Sequence, residues 1–115
     1  NIDTMNLSAL LHDAPEAYIG DVASPLKSML PEYKKIEQFY HDVIDKYYGV
    51  TTQCDAVKLA DLRMLITEAK SFGLPLEHFP VIEPYDVVIK HRWEPKFAER
   101  MFLLMFNAYQ KSDIK

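Results

Sequence analysis

His12 and Asp13 are adjacent, Glu16 follows three residues after the pair, Asp21 stands directly after Gly20, and Asp61 lies far along the chain. A neutral imidazole and an ionised carboxylate both ligate divalent first-row ions, so His12-Asp13 supplies one donor of each kind. In a straight helix, neighbouring side chains point about 100° apart and cannot share an ion. Pro15 removes that obstacle. It deletes the helical hydrogen bond to Leu11 and clashes with that turn, so the helix must stop or kink and two consecutive side chains can converge at its end. Glu16 falls four residues after His12, so any helical continuation puts it on the turn beside the ion. A carboxylate there can hold a metal-bound water or act as general acid or base. The spacing Asp13-Ala14-Pro15-Glu16 is also that of a capping box, which predicts a helical turn beginning at Asp13. Asp21 reads either as a cap or turn residue or as a member of the site.

Asp61 is flanked one helical turn away by Val57, Lys58, Met64 and Leu65, which predicts a carboxylate on a largely apolar, buried face. A buried charge is costly unless paired or bound to metal. Two partners are open: Lys58, three residues earlier, or an ion shared with His12 and Asp13. His41 sits among Gln38, Asp42 and Asp45 and reads as a solvated surface histidine. His78 and His91 lie in a proline-rich stretch with no carboxylate at useful spacing, and both read as bystanders. Tyr40, Tyr47 and Tyr48 follow the helix period of their neighbours, as core and rim aromatics do.

The elements that must position these residues are helical. Apolar residues from Ile2 to Leu11 are dense enough for a helix buried on most sides. Gly20 ends the piece that starts at Asp13, and Asp21 to Pro31 reads as an ordered loop or short helical turn. From Glu32 to Tyr48, Ile36, Phe39, Tyr40, Val43, Ile44 and Tyr47 recur at three- and four-residue steps, with Gly49 as the stop. A further helix is expected from about Gln53 to Phe72, with Gly73 as its C-terminal signal. The segment from Leu74 to Arg92 carries Pro75, Pro80 and Pro84, and its strand-like run Asp86 to Lys90 is too short to support a sheet. Trp93-Glu94-Pro95 opens a last helix to about Lys111, with Phe97, Met101, Leu104, Met105 and Ala108 facing inward. The fold class is all-α.

At 115 residues, one domain spanning 1–115 is expected. Its 49% hydrophobic and 26% charged residues describe a globular chain with a core rather than a disordered one. The net charge of −4, with scattered lysines, leaves no basic stripe for duplex nucleic acid. A small anionic substrate stays open, because a bound cation and one or two lysines reverse the local potential. Cys54 alone excludes an internal disulfide and fits a reducing compartment. No window reaches the apolar length of a membrane span, and a cytoplasmic location is expected.

Taken together, Leu10-Leu11-His12-Asp13-Ala14-Pro15-Glu16, then Gly20-Asp21, Pro25-Leu26-Lys27 and Lys58-Leu59-Ala60-Asp61 resemble the HD-domain phosphohydrolases. The closest likeness is to the nucleotidase branch that acts on deoxynucleotides. It covers about residues 5–73, with 74–115 as a C-terminal helical extension. The resemblance implies a helical bundle holding one divalent ion through a histidine, the His-Asp pair and a distant aspartate. His12, Asp13 and Asp61 match three of these four ligands. It further implies that Glu16 and Asp21 serve catalysis, that Lys27 touches a substrate phosphate, and that such enzymes are often homodimers. The donor set does not distinguish Mn, Co, Mg, Ni, Fe or Zn. The family's first ligand is a histidine well upstream of the pair, and none precedes His12 here. The chain also starts at Asn1 rather than Met, so the natural protein is expected to extend further and supply that ligand; otherwise three protein ligands hold the ion, with water filling the gap.

The implied activity is metal-dependent removal of phosphate from deoxynucleoside mono- or triphosphates. The shared motif equally fits hydrolysis of a cyclic dinucleotide or a guanosine alarmone. A different class of reading is a non-catalytic helical interaction module, in which His12 and Asp61 are hydrogen-bonding groups of the core.

Overall fold

The computed structural model describes residues 2–111, with side chains to Gln110. The two ends of the expected 1–115 domain, residue 1 and residues 112–115, lie outside the described residues. Six helices follow one another: α1 (Ile2–Leu10), α2 (Glu16–Ile19), α3 (Ser24–Lys27), α4 (Pro31–Tyr48), α5 (Asp55–Ser71) and α6 (Pro95–Lys111). Among the described residues there is no strand, so the chain is all-α, and the run Asp86 to Lys90 stays irregular. No helix among them is long and apolar enough to cross a membrane.

Local sequence explains the helix ends. α4 begins at Pro31, whose missing N–H is no loss in a first turn. It stops at Gly49, which takes φ 66° and donates its N–H to the Asp45 carbonyl. A side chain there would meet the left-handed penalty that glycine escapes. At the end of α5, Gly73 takes φ 70°, and the Leu74 N–H reaches the Ala69 carbonyl at 2.8 Å. That bond closes the last turn and turns the chain back.

The proline-rich connection is strapped along α5. Thr67 accepts from the Tyr85 N–H at 2.9 Å and Ser71 from the Ile89 N–H at 3.0 Å. Arg63 Nε donates to the Glu83 carbonyl at 3.0 Å, and its guanidinium lies 4.0 Å from the Tyr85 ring centroid. Side chains of α5 thus meet backbone groups that no strand partner satisfies.

The core is small. Leu7 of α1 and Leu11 just after it meet Ile44 of α4 and Val50 just past its end, with Tyr48, Phe106 and Tyr109 packed against them. α1 lies mainly on α6 and less on α5. The radius of gyration is 15.5 Å, against about 13 Å for a compact chain of this length, so the helices do not close fully around one centre. Two expectations are corrected by this openness. α1 is not buried on most sides: its buried residues are Leu7 and Ser8, and Ile2 is 77% exposed. On α6, Phe97, Leu104, Met105 and Ala108 are exposed. The helix is rotated so that Phe106 sets its ring edge against Tyr48 at 5.6 Å.

Candidate functional site

α1 ends at Leu10, and the next five residues form turns rather than helix. Three bonds with a three-residue span hold them: His12 N–H to the Ala9 carbonyl at 3.4 Å, Ala14 to Leu11 at 2.9 Å and Glu16 to Asp13 at 2.9 Å. The tightening is what a proline at 15 demands, since it cannot continue the four-residue ladder. α2 therefore begins at Glu16, not at Asp13, and no side-chain cap closes it. The expected capping box gives way to a backbone bond between the same two residues.

The tightened turn brings His12 and Asp13 together. His12 Nε2 lies 3.3 Å from Asp13 Oδ1 and 3.2 Å from Asp61 Oδ1, which arrives from α5. The other ring nitrogen, Nδ1, is 2.6 Å from the Ala9 carbonyl oxygen. A carbonyl only accepts, so Nδ1 carries a proton. In the neutral ring Nε2 is then a bare lone pair facing two carboxylate oxygens. Three electron-rich atoms around one point repel unless a cation sits among them. Burial pulls the His12 pKa down, but the Ala9 carbonyl and the Asp13 and Asp61 carboxylates outweigh it, and the net shift is upward from 6.5. A second proton on Nε2, which this upward shift favours, or a divalent ion suits the same donors. The donors are not gathered into a formed cage: among the described residues no three His, Cys, Asp or Glu side chains have that convergent geometry.

Asp61 departs from its expected surroundings. Its side chain is 59% exposed at the rim of the site, because Met64 and Leu65 beside it are themselves 38% and 44% exposed. Among the described residues its ionic partner is His12, and no ion pair joins it to Lys58.

A cavity of about 180 Å³ opens beside this centre, and His12, Asp13, Glu16, Lys27 and Asp61 all line it. Burial first, then the Asp13 and Asp21 carboxylates, push the Glu16 carboxyl above its ordinary value, against a downward pull from Lys27. Asp21 is exposed and is not a wall of the cavity; it acts on the site through Glu16. The Tyr33 hydroxyl anchors the preceding turn by donating to the Gly20 carbonyl at 2.8 Å.

Sequence reasoning missed two groups of wall residues. Glu37 on α4 holds Lys27 Nζ at 2.9 Å, both side chains largely buried. This bond is the main cause that raises the lysine's pKa and keeps its ammonium charged. His41, one turn further along α4, is 8% exposed rather than solvated. Its Nδ1 lies 2.9 Å from Thr52 Oγ1, and Thr52 in turn donates to Asp45 at 2.6 Å. The signal for both was available: Glu37 and His41 are four residues apart, hence on one face. The polar neighbours of His41 masked it, because the burying partner is a loop residue far away in sequence. His78 and His91 are exposed and stand apart from the cavity.

An uncharacterized protein of Escherichia coli strain K12, YfdR, is 40% identical to this chain over 107 residues, covering 86% of the chain and 58% of that protein. The chain therefore spans less than two thirds of the length of the relative it matches. No family model matches it. No solved structure gives a significant match.

Proposed function

We propose that the chain carries the metal centre of an HD-domain-like phosphohydrolase that removes phosphate from deoxynucleoside mono- or triphosphates. The observation that carries the reading is the meeting of Asp13 and Asp61 at the bare Nε2 of His12, beside a cavity that also holds Glu16 and Lys27. His12, Asp13 and Asp61 would hold one divalent ion, and Mn, Co, Mg, Ni, Fe and Zn all suit the donor set.

When bound, such an ion supplies Lewis acidity and a water acidified toward neutrality. The Ala9 carbonyl fixes the His12 ring with Nε2 toward Asp13 and Asp61, so His12 would be oriented to help hold the ion. Glu16, whose carboxyl is raised above its ordinary value by burial and by the Asp13 and Asp21 carboxylates, would serve as the general acid toward the leaving oxygen. Asp21 sustains that raised value by its negative charge. Lys27, steadied by Glu37, contacts a phosphate oxygen as a point charge. A cavity of about 180 Å³ suits a phosphate and its sugar better than a cyclic dinucleotide.

The test is phosphate release from a panel of nucleotides with each divalent ion in turn. Metal-dependent release that disappears in Asp61→Ala, with the helical signal kept, is the expected result. Undiminished release in that variant sinks the assignment. Total inactivity of the unaltered chain, with no bound metal, favours the helical interaction module, a reading supported by the absence of a formed three-donor cage among the described residues.

A further inference from the structure

Behind the ion site the same cavity has a second wall, in which His41 is the buried heterocycle. A relay of hydrogen bonds fixes its protonation. Asp45 Oδ1 takes two bonds from Thr52, one from the backbone N–H at 3.0 Å and one from the hydroxyl at 2.6 Å. Threonine has a single hydroxyl proton, and a carboxylate only accepts, so that proton points to Asp45. Thr52 Oγ1 must then accept from His41, which places a proton on Nδ1. The neutral ring consequently has a bare Nε2. Among the described residues no group bonds to Nε2, and no buried side-chain polar atom lacks a partner, so this nitrogen opens onto the cavity. Burial also holds the ring below the usual histidine range, more strongly than the Glu37 and Asp45 charges raise it.

We infer that His41 Nε2 accepts a hydrogen bond from a sugar hydroxyl of the substrate and so makes His41 a specificity residue. The inference rests on the phosphohydrolase reading above. A hydrogen-bond acceptor at the cavity wall calls for a donor, which excludes the phosphate as its partner. The cavity is small, and His41 shares it with Lys27 and the ion site. The donor must therefore lie within a few bonds of the phosphate, as the 3′-hydroxyl of a 5′-nucleotide does and a nucleobase N–H does not. Thr52 is a positioning residue: it sets which nitrogen is bare.

The experiment compares kcat/KM for 2′-deoxy and 2′,3′-dideoxy nucleoside 5′-phosphates in the metal-loaded chain, His41→Phe, His41→Gln and Thr52→Val. The unaltered chain should favour the deoxy substrate by roughly ten- to a hundred-fold, the effect of leaving a buried acceptor unpaired. His41→Phe should bring the ratio near one, mostly through KM for the deoxy substrate. His41→Gln, whose amide oxygen reaches the place of Nε2, should restore part of it. Thr52→Val should lower the ratio while the ring remains, so a folding failure of His41→Phe still leaves the proposal exposed. Nitrogen-15 spectra of the unaltered chain should show His41 protonated on Nδ1 and bare on Nε2. A deoxy preference that persists in both His41→Phe and Thr52→Val overturns this assignment and leaves the phosphohydrolase reading intact. So does a change in nucleobase preference instead of sugar preference, or a proton on Nε2. Failure of the unaltered chain to release phosphate from any nucleotide overturns both.

Discussion

His12 Nε2 and Asp61 Oδ1, separated by 49 residues of sequence, lie 3.2 Å apart, and the proton on the far side of the ring is already committed to the Ala9 carbonyl. The nitrogen that meets Asp61 can therefore bond to it only by taking up a second proton or by sharing a cation. With its pKa raised in the fold, His12 binds a proton more tightly folded than unfolded. Its contribution to stability is complete below the unfolded value of 6.5 and is lost as pH rises through the folded value. Metal binding must expel this proton. Calorimetric titration of Mn²⁺ in buffers of different ionisation enthalpy should register proton release, with apparent affinity rising between about pH 6 and 8. Affinity independent of pH would contradict the arrangement.

Glu16 makes a prediction of opposite sense for stability and activity. Its carboxyl is raised above 4.5 by burial and by the Asp13 and Asp21 carboxylates, so the folded chain disfavours its ionised form. Above the folded pKa that penalty is fully present, and it fades as pH falls through that value toward the unfolded one. Glu16→Gln should raise the melting temperature near neutral pH and leave it unchanged at about pH 4. The same variant should lose about 10²- to 10⁴-fold in turnover. A lower melting temperature at neutral pH would show that the carboxylate is not under strain.

The Lys27–Glu37 pair links the end of α3 to α4. With both side chains about a fifth exposed, its coupling in a double-mutant cycle of Lys27→Met and Glu37→Gln should be about 1 kcal/mol, at the upper end for such pairs. Lys27→Met should raise KM for nucleotide more than it lowers kcat. A coupling of zero would mean that Glu37 does not steady the ammonium.

Packing around α1 decides whether the site exists at all. Leu7 is 1% exposed, and Leu7→Ala should cost about 2–5 kcal/mol in denaturant unfolding. Ser8 is fully buried; its hydroxyl donates to the Thr4 carbonyl and accepts the Thr51 N–H at 3.0 Å, tying α1 to the loop that carries Thr52. Ser8→Ala strands that N–H and should cost about 1–3 kcal/mol. Tyr47→Ser, at 79% exposure, should change stability by less than about 0.5 kcal/mol.

Helix positions were readable from sequence because proline, glycine and periodicity act locally. Pro31, Gly49 and Gly73 mark ends that fall within a residue or two of the observed helices. Pro15 likewise announced the break that lets His12 and Asp13 converge. What could not be read was which face each helix buries. Asp61 looked buried because its neighbours are apolar, and it is exposed because the helices do not close over it. His41 looked exposed because its neighbours are polar, and it is buried where Thr52, from the loop after α4, meets its ring. Both outcomes depend on contacts between segments distant in sequence, to which local pattern is blind.

In the proposed metal centre, His12, Asp13 and Asp61 together hold one divalent ion. Titration of Mn²⁺ followed by electron paramagnetic resonance, in the unaltered chain and in Asp61→Asn, measures this without relying on turnover. One saturable site is expected in the unaltered chain, and its loss, or at least a tenfold to hundredfold weakening, in Asp61→Asn. Equal Mn²⁺ binding by the two proteins, or none by either, would contradict it.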